Sequence, residues 1–292
     1  MKNDLMYLLT SGRVLLSDGA MGTELQKRGM TAGTCPELLN VEQPEMVQAV
    51  YSDYYDAGSD IVETNTFGGN RFRLKHFGYE GRAAEFCKQA AQLAKEVCPP
   101  GRFVAGSIGP SGEILEPLGL MSAQEAYEAF AEQAAALAEG GADVVFVETM
   151  MDVEEAVIAV KAAKENTGLP VSATMTFDLT DSGPRTSYGV DPATAVQRLS
   201  EAGADILGAN CGNGMEVILA VMQAMRPLTD KPLLAQPNAG IPEVMDNLLV
   251  YHETPETMED KYRQLINLGV NVIGGCCGTN AGYIRMLRRL IG

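Results

Sequence analysis

The sequence predicts an α/β chain folded as a (β/α)8 TIM barrel, and three observations predict it. Short β-rich runs alternate with longer helical stretches rich in alanine and glutamate, and eight such pairs fit within the 292 residues. Four units pass from helix to strand through similar words, Ala57-Gly58-Ser59-Asp60-Ile61-Val62, Gly140-Gly141-Ala142-Asp143-Val144-Val145, Ala202-Gly203-Ala204-Asp205-Ile206-Leu207 and Leu268-Gly269-Val270-Asn271-Val272-Ile273. The length suits one α/β barrel, a single domain over residues 1–292. Counting alone does not separate a closed barrel from an open doubly wound sheet; the internal echo favours the barrel.

Taken in order, the expected strands are 14–17, 60–64, 102–107, 143–148, 170–176, 205–209, 232–236 and 271–274. The first runs into Asp18-Gly19-Ala20-Met21-Gly22-Thr23, where a glycine-bracketed turn leaves backbone N–H groups free to hold a carboxylate. Thr23 and Gln26 read as a capping box opening the next helix. The turn lacks the spacing of a phosphate loop. The second strand supplies Glu63-Thr64-Asn65-Thr66 and the third ends at Ser107. The fourth supplies Glu148-Thr149, and the fifth leads into a long polar loop, 178–192. That loop and its counterpart at 109–119 are expected to overhang one mouth, since loops of such length tend to be lids or binding surfaces. The sixth strand ends at Asn210-Cys211-Gly212, the seventh at Gln236-Pro237-Asn238, and the eighth at Gly274-Gly275-Cys276-Cys277-Gly278-Thr279.

In the echo, each glycine (58, 141, 203, 269) stands where a helix stops, and the polar residue two later opens a strand. Seven positions on come Asn65, Glu148, Asn210 and Cys276, all at the C-terminal rim where barrel chemistry is placed. Each could equally be a strand end in solvent. Asp18 and Glu148 are carboxylates able to pair with a ligand's ammonium, opposite the anion-binding turn.

The cysteines carry the sharpest signal. Successive strand side chains face opposite ways, so adjacent Cys276 and Cys277 reach one point only where the glycines let the strand turn. Alone, the pair could be a vicinal disulfide or two small buried residues. Cys211 in a matching setting makes three thiolates with no obvious fourth ligand, the description of a zinc site with one open position. Asn238, at the neighbouring seventh strand, is a possible fourth ligand when substrate is absent.

Composition bounds the rest. A net charge of −16 argues against nucleic acid or an anionic membrane as partner. Six cysteines without the dense spacing of a secreted scaffold fit a reducing compartment, the cytoplasm. No run approaches the ~20 apolar residues that span a bilayer, and the patch from Leu5 to Leu9 is too brief for a signal sequence. His76 and His252 fall on surface stretches, and Cys35, Cys87 and Cys98 fall away from strand ends.

The words DGAMGT at 18–23, ETNTF at 63–67, VET at 147–149, NCG at 210–212, PNAG at 237–240 and GGCCGT at 274–279 resemble the homocysteine S-methyltransferase family nearly end to end. The likeness is greatest to the homocysteine-binding module of cobalamin-dependent methionine synthase. It implies a (β/α)8 barrel with zinc on Cys211, Cys276 and Cys277. It also implies that Glu148, Asp18 and the turn at Gly19-Ala20 hold the amino-acid end of homocysteine, and Asn65 and Ser107 complete the expected substrate contacts. A zinc-bound thiol is deprotonated and held for in-line attack on a methyl group, so no side-chain base is required. The chain lacks the DxHxxG motif of a cobalamin module, so methylcobalamin is expected on a corrinoid partner protein or module docking over the mouth. S-methylmethionine, S-adenosylmethionine and betaine are the alternative donors. Two other readings stand beside the enzyme: a non-catalytic zinc or thiol module docking a corrinoid protein, and a vicinal-dithiol redox protein, which would have no use for Cys211.

Overall fold

A computed structural model describes residues 4–31, 33–241, 243–245 and 248–292. Its main sheet contains β1 (Leu15–Leu16), β2 (Ile61–Glu63), β3 (Phe103–Ile108), β4 (Val144–Met150), β5 (Val171–Met175), β6 (Ile206–Cys211), β7 (Leu233–Pro237) and β8 (Val272–Ile273). Each falls where the sequence placed a strand, with β3, β4, β6 and β7 running one or two residues further. Every pairing is parallel, in the order β1-β8-β7-β6-β5-β4-β3-β2. The ends meet where the Asp60 N–H donates to Leu16 O (2.7 Å), so the sheet is a nearly closed eight-stranded barrel. Around it lie α1 (Pro44–Ala57), α2 (Ala83–Val97), α3 (Ala123–Gly140), α4 (Val153–Thr167), α5 (Pro192–Ala202), α6 (Met215–Met225), α7 (Pro255–Asn267) and α8 (Ala281–Ile291).

The repeated helix-to-strand word has a structural cause. Gly58, Gly141 and Gly203 cap α1, α3 and α5 at φ between 102° and 114°, and Gly269 follows α7 at 79°. That region is open to glycine without a Cβ clash, so each helix stops there. The polar residue two later bonds sideways to the preceding strand. Asp60 accepts from Leu16 N–H (2.9 Å), Asp143 from Val104 (2.8 Å), Asp205 from Val171 (2.8 Å) and Asn271 from Leu233 (3.0 Å). Four bonds of one design thus stitch even strands to odd ones at the N-terminal floor.

Two apolar layers bury the sheet. Between strands and helices runs the large core, with Tyr51, Phe130, Met222 and Tyr262 fully buried. Inside the barrel, Leu15, Ile61, Phe103, Val144, Phe146, Ile206, Leu234 and Val272 form a second cluster that Leu5 and Leu9 join. The latter lie on a short N-terminal helix, Leu5–Thr10, capped by Asp4. The brief apolar patch of the sequence is therefore part of the barrel core.

Two local expectations are corrected. The helix after β1 begins at Met21 with Ala20 as N-cap and no side-chain cap, so Thr23 and Gln26 lie inside it and form no capping box. The long loop after β5 is not structureless: Asp178–Thr180 pairs antiparallel with Gly183–Arg185, because Gly183 at φ 93° permits a tight reversal.

Candidate functional site

Alternation along the strands sets the site. Above the apolar interior ring, the side chains on the same face of the strands become polar: Ser17, Glu63, Ser107, Glu148, Thr174, Asn210 and Gln236. Ser17 Oγ donates to Glu63 (3.2 Å) and Asp18 (3.3 Å), and Gln236 Nε2 donates to Glu63 and to Ser17 Oγ (3.1 Å). On the far side Ser107 Oγ donates to Glu148 (2.5 Å), as does Asn210 Nδ2 (3.1 Å). Asn210 Oδ1 takes the Thr149 N–H (2.8 Å) and the Thr174 hydroxyl (2.7 Å), so this amide is fully used in orienting Glu148.

Burial, and then the charge of Glu63, push Glu148 well above the usual carboxylate range; the same two causes raise Asp18. Asp18 is buried and is not among the residues that line the cavity. Its carboxylate takes the Glu63 N–H (2.9 Å) and its carbonyl takes the Gly275 N–H (2.9 Å), locking the β1 turn against β2 and the β8 turn. The wall itself is Gly19 and Ala20. At Gly19 a Cβ would stand 2.7 Å from Thr279 Oγ1 and 2.9 Å from the Tyr54 hydroxyl, so only glycine fits. Asn65 lines the cavity, yet its Nδ2 donates to Pro36 O (2.7 Å) and Asn40 Oδ1 (3.0 Å).

The three cysteines meet. Cys211, Cys276 and Cys277 bring their sulfurs within 4.8 Å of one another, a group that could hold a metal ion, and all three are free thiols. Cys211 ends β6 at φ 63°, a left-handed conformation that costs a non-glycine residue on the order of 1–2 kcal/mol. Thr149 is held likewise at φ 60°. Such strain persists where surrounding bonds over-determine it and clusters at functional sites. Hydrogen bonds from the Cys276 and then the Cys277 thiol lower Cys211 far below the usual thiol range, to about 3. These soft donors fit a tetrahedral N/S metal with one position to spare.

Asn238 stands beside them with its Nδ2 on Gly212 O (2.6 Å) and on the Cys211 sulfur, while its buried Oδ1 has no hydrogen-bond partner. Tyr251 stands near the cluster, and burial, followed by the charge of Cys277, pushes its hydroxyl up.

One cavity of about 340 Å³ joins these groups. At its inner end are the cysteines, Glu63, Glu148 and Gln236; at its outer end Pro36, Glu37, Phe67, Arg73 and Phe77. Sequence reasoning left out Glu63, Gln236 and Tyr251 as site residues. Stepping by two from the apolar residues Ile61 and Leu234 would have reached the first two; counting seven from Gly58 overshot to Asn65, because strands in a barrel are staggered and equal counts are not equal heights. Nothing local marks Tyr251, which arrives on the loop after β7. His76 and His252 are exposed, and Cys35 and Cys87 are buried away from the cluster, as expected.

Comparison with known proteins agrees with this geometry. The family model described as homocysteine S-methyltransferase matches residues 15–291. The chain belongs to the homocysteine S-methyltransferase family. Methionine synthase of Mycobacterium tuberculosis is 31% identical over 300 residues, covering 97% of this chain and 25% of that protein. Its counterpart from Mycobacterium leprae is also 31% identical, with 24% of its length covered. The chain thus spans about a quarter of the length of these curated relatives. The metallated form of the homocysteine methyltransferase MmuM from Escherichia coli superposes with a TM-score of 0.81 at 26% identity, over 98% of this chain and 99% of that one. Among the described residues of this family member, no helix is long and apolar enough to cross a membrane.

Proposed function

We propose that this methyltransferase transfers a methyl group to the thiol of homocysteine, giving methionine, with zinc held by Cys211, Cys276 and Cys277. The observation that carries the reading is the convergence of three sulfurs on one end of a cavity whose adjoining wall is acidic. Bound zinc would supply one thing, a substrate thiol kept as thiolate at neutral pH, where a free thiol is mostly protonated. The chain's own residues do the rest. Glu148, aimed by Ser107 and Asn210, faces the substrate's ammonium. The Gly19-Ala20 turn faces its carboxylate, and Asp18 keeps that turn in place. Asn238 remains the proposed occupant of the fourth position before substrate arrives, which requires its orphan Oδ1 to turn toward the metal.

The proposed donor is methylcobalamin on a corrinoid partner protein or module. Supporting it, Ile114, Leu118, Leu120, Met151, Leu179, Tyr188 and Ile241 are exposed on loops that follow barrel strands, Leu118 and Leu120 at 82% and 94%, an apolar collar on the mouth side. A second reading has a small onium donor such as S-methylmethionine. Its support is the outer half of the cavity, with Arg73, Phe67 and Phe77, which an amino acid as small as homocysteine leaves empty.

Zinc-loaded protein given homocysteine with methylcobalamin, S-methylmethionine, S-adenosylmethionine or betaine in turn is expected to form methionine with the first, and with S-methylmethionine under the second reading. Homocysteine binding with no methionine from any donor would leave only the docking module.

A further inference from the structure

Three carboxyl groups, the buried Asp18 and Glu148 and the half-buried Glu63, share the top of the barrel, and among the described residues no cation stands among the main influences on Asp18 or Glu148. The groups around them are uncharged: Ser17 beside Asp18, Ser107 on β3, Asn210 on β6 and Gln236 on β7, with the neutral hydroxyls of Tyr51 and Tyr54 from α1 behind Asp18. The cysteines of β6 and the β8 turn are the remaining titratable groups at that end. Glu148 lies within hydrogen-bonding reach of Glu63. Two like charges about 4 Å apart repel by roughly 4 kcal/mol at an effective dielectric constant of 20, so the empty layer does not hold three full charges. Burial, and then the charge of Glu63, favour the neutral form of Glu148 while the pocket is empty.

A second observation points to what the layer receives. Gln236 commits its Nε2 to Glu63 and Ser17, and its Oε1 is buried with no hydrogen-bond partner. An unmatched buried acceptor costs about 1–3 kcal/mol, and no donor within the layer is free to meet it. An ammonium group brings three donors and a positive charge. Carboxylate, carboxyl and amide oxygen from β2, β4 and β7 are disposed to take one each.

We propose that Glu63 and Gln236 Oε1 join Glu148 as the seat of a primary ammonium group, and that Glu148 releases its proton to solvent as that group enters. This rests on reading the acceptor as an α-amino acid. The balance is simple: the ammonium keeps its three protons, the Glu148 carboxyl becomes carboxylate, and one proton leaves for bulk water. That proton is separate from the one lost by the substrate thiol. Glu63 is then a specificity residue, because it selects amino thiols over thiols that lack an ammonium.

L-methionine separates the two protons, since it has the ammonium but no ionisable thiol. Calorimetric titration of the zinc-loaded chain with L-methionine at neutral pH, in two buffers of different ionisation enthalpy, is expected to show about one proton released, and homocysteine about one more. Glu63→Gln is expected to weaken methionine binding at least tenfold and to diminish the release, because the second of the two causes that favour a protonated Glu148 is then gone. Gln236→Leu is expected to weaken binding severalfold; zinc content and the unfolding midpoint report that either variant is folded. Methionine binding without proton release, or unchanged affinity in Glu63→Gln, overturns the proposal while leaving homocysteine as acceptor. Failure of both homocysteine and methionine to bind removes the acceptor reading and this proposal with it.

Discussion

The floor and the rim of this barrel are built from similar residues and treat them in opposite ways. At the floor Asp60 accepts the Leu16 N–H, faces the guanidinium groups of Arg102 and Arg288, and has Arg13 at 4.0 Å. Asp143 pairs with Lys95 and Asp205 with Lys164 while each also ties two strands together. At the rim the acids meet one another instead. Gln236 Oε1 and Asn238 Oδ1 are buried without partners, and Thr149 and Cys211 sit at positive φ. The floor acids that serve the fold are satisfied within the chain, whereas the rim groups reserved for a ligand leave charge, hydrogen bonds and strain unresolved until it arrives.

The largest expected effect is at the rim. Cys211→Ser should remove zinc and lower methyl transfer by about a thousandfold, roughly 4 kcal/mol of barrier, with little change in unfolding midpoint. Metal analysis and a methionine assay check it, and zinc retained at full stoichiometry would dissolve the contrast. At the floor the cost should fall on stability: Asp60→Ala strands two guanidinium groups and the Leu16 N–H, for a loss of about 3 kcal/mol in urea unfolding. The folded fraction should still bind zinc.

Glu148→Gln should act in the opposite direction on stability. Because its folded pKa is raised by burial and by Glu63, the empty protein binds an extra proton there, and that stability is lost as pH rises through the folded value. The substitution should therefore raise Tm above neutral pH, flatten its pH dependence, and weaken homocysteine binding about tenfold, or ~1.4 kcal/mol. A Tm that falls instead would mean that Glu148 is a structural acid like those of the floor. Smallest of all, Lys95→Ala removes an exposed partner from Asp143 but leaves its bond to Val104, and should cost about 0.5 kcal/mol.

Much of the fold was legible because its signals are local. Gly58, Gly141, Gly203 and Gly269 announce helix ends through a conformation glycine tolerates, and the strand-like runs follow at fixed spacing. The cysteines were legible too, since Cys211 and the Cys276-Cys277 pair each close a strand unit. The acid seat was only half legible. Glu148 stood out at its strand end, but Gln236 and Glu63 lie 173 positions apart and have no local relation. Asp18 was expected to help hold the amino-acid end of the substrate; its bond from the Glu63 N–H is a tie between strands that no pattern along the chain encodes.

By itself, then, the sequence determined the number and order of the βα units, the positions of the sulfurs and the excess of acid, because periodicity, turn chemistry and composition act over a few residues. Tertiary structure decided which acids are neutralised and which are left facing one another. Closing the barrel with staggered strands brings β2, β4 and β7 to one level, and charges so juxtaposed acquire their meaning from neighbours distant in the chain.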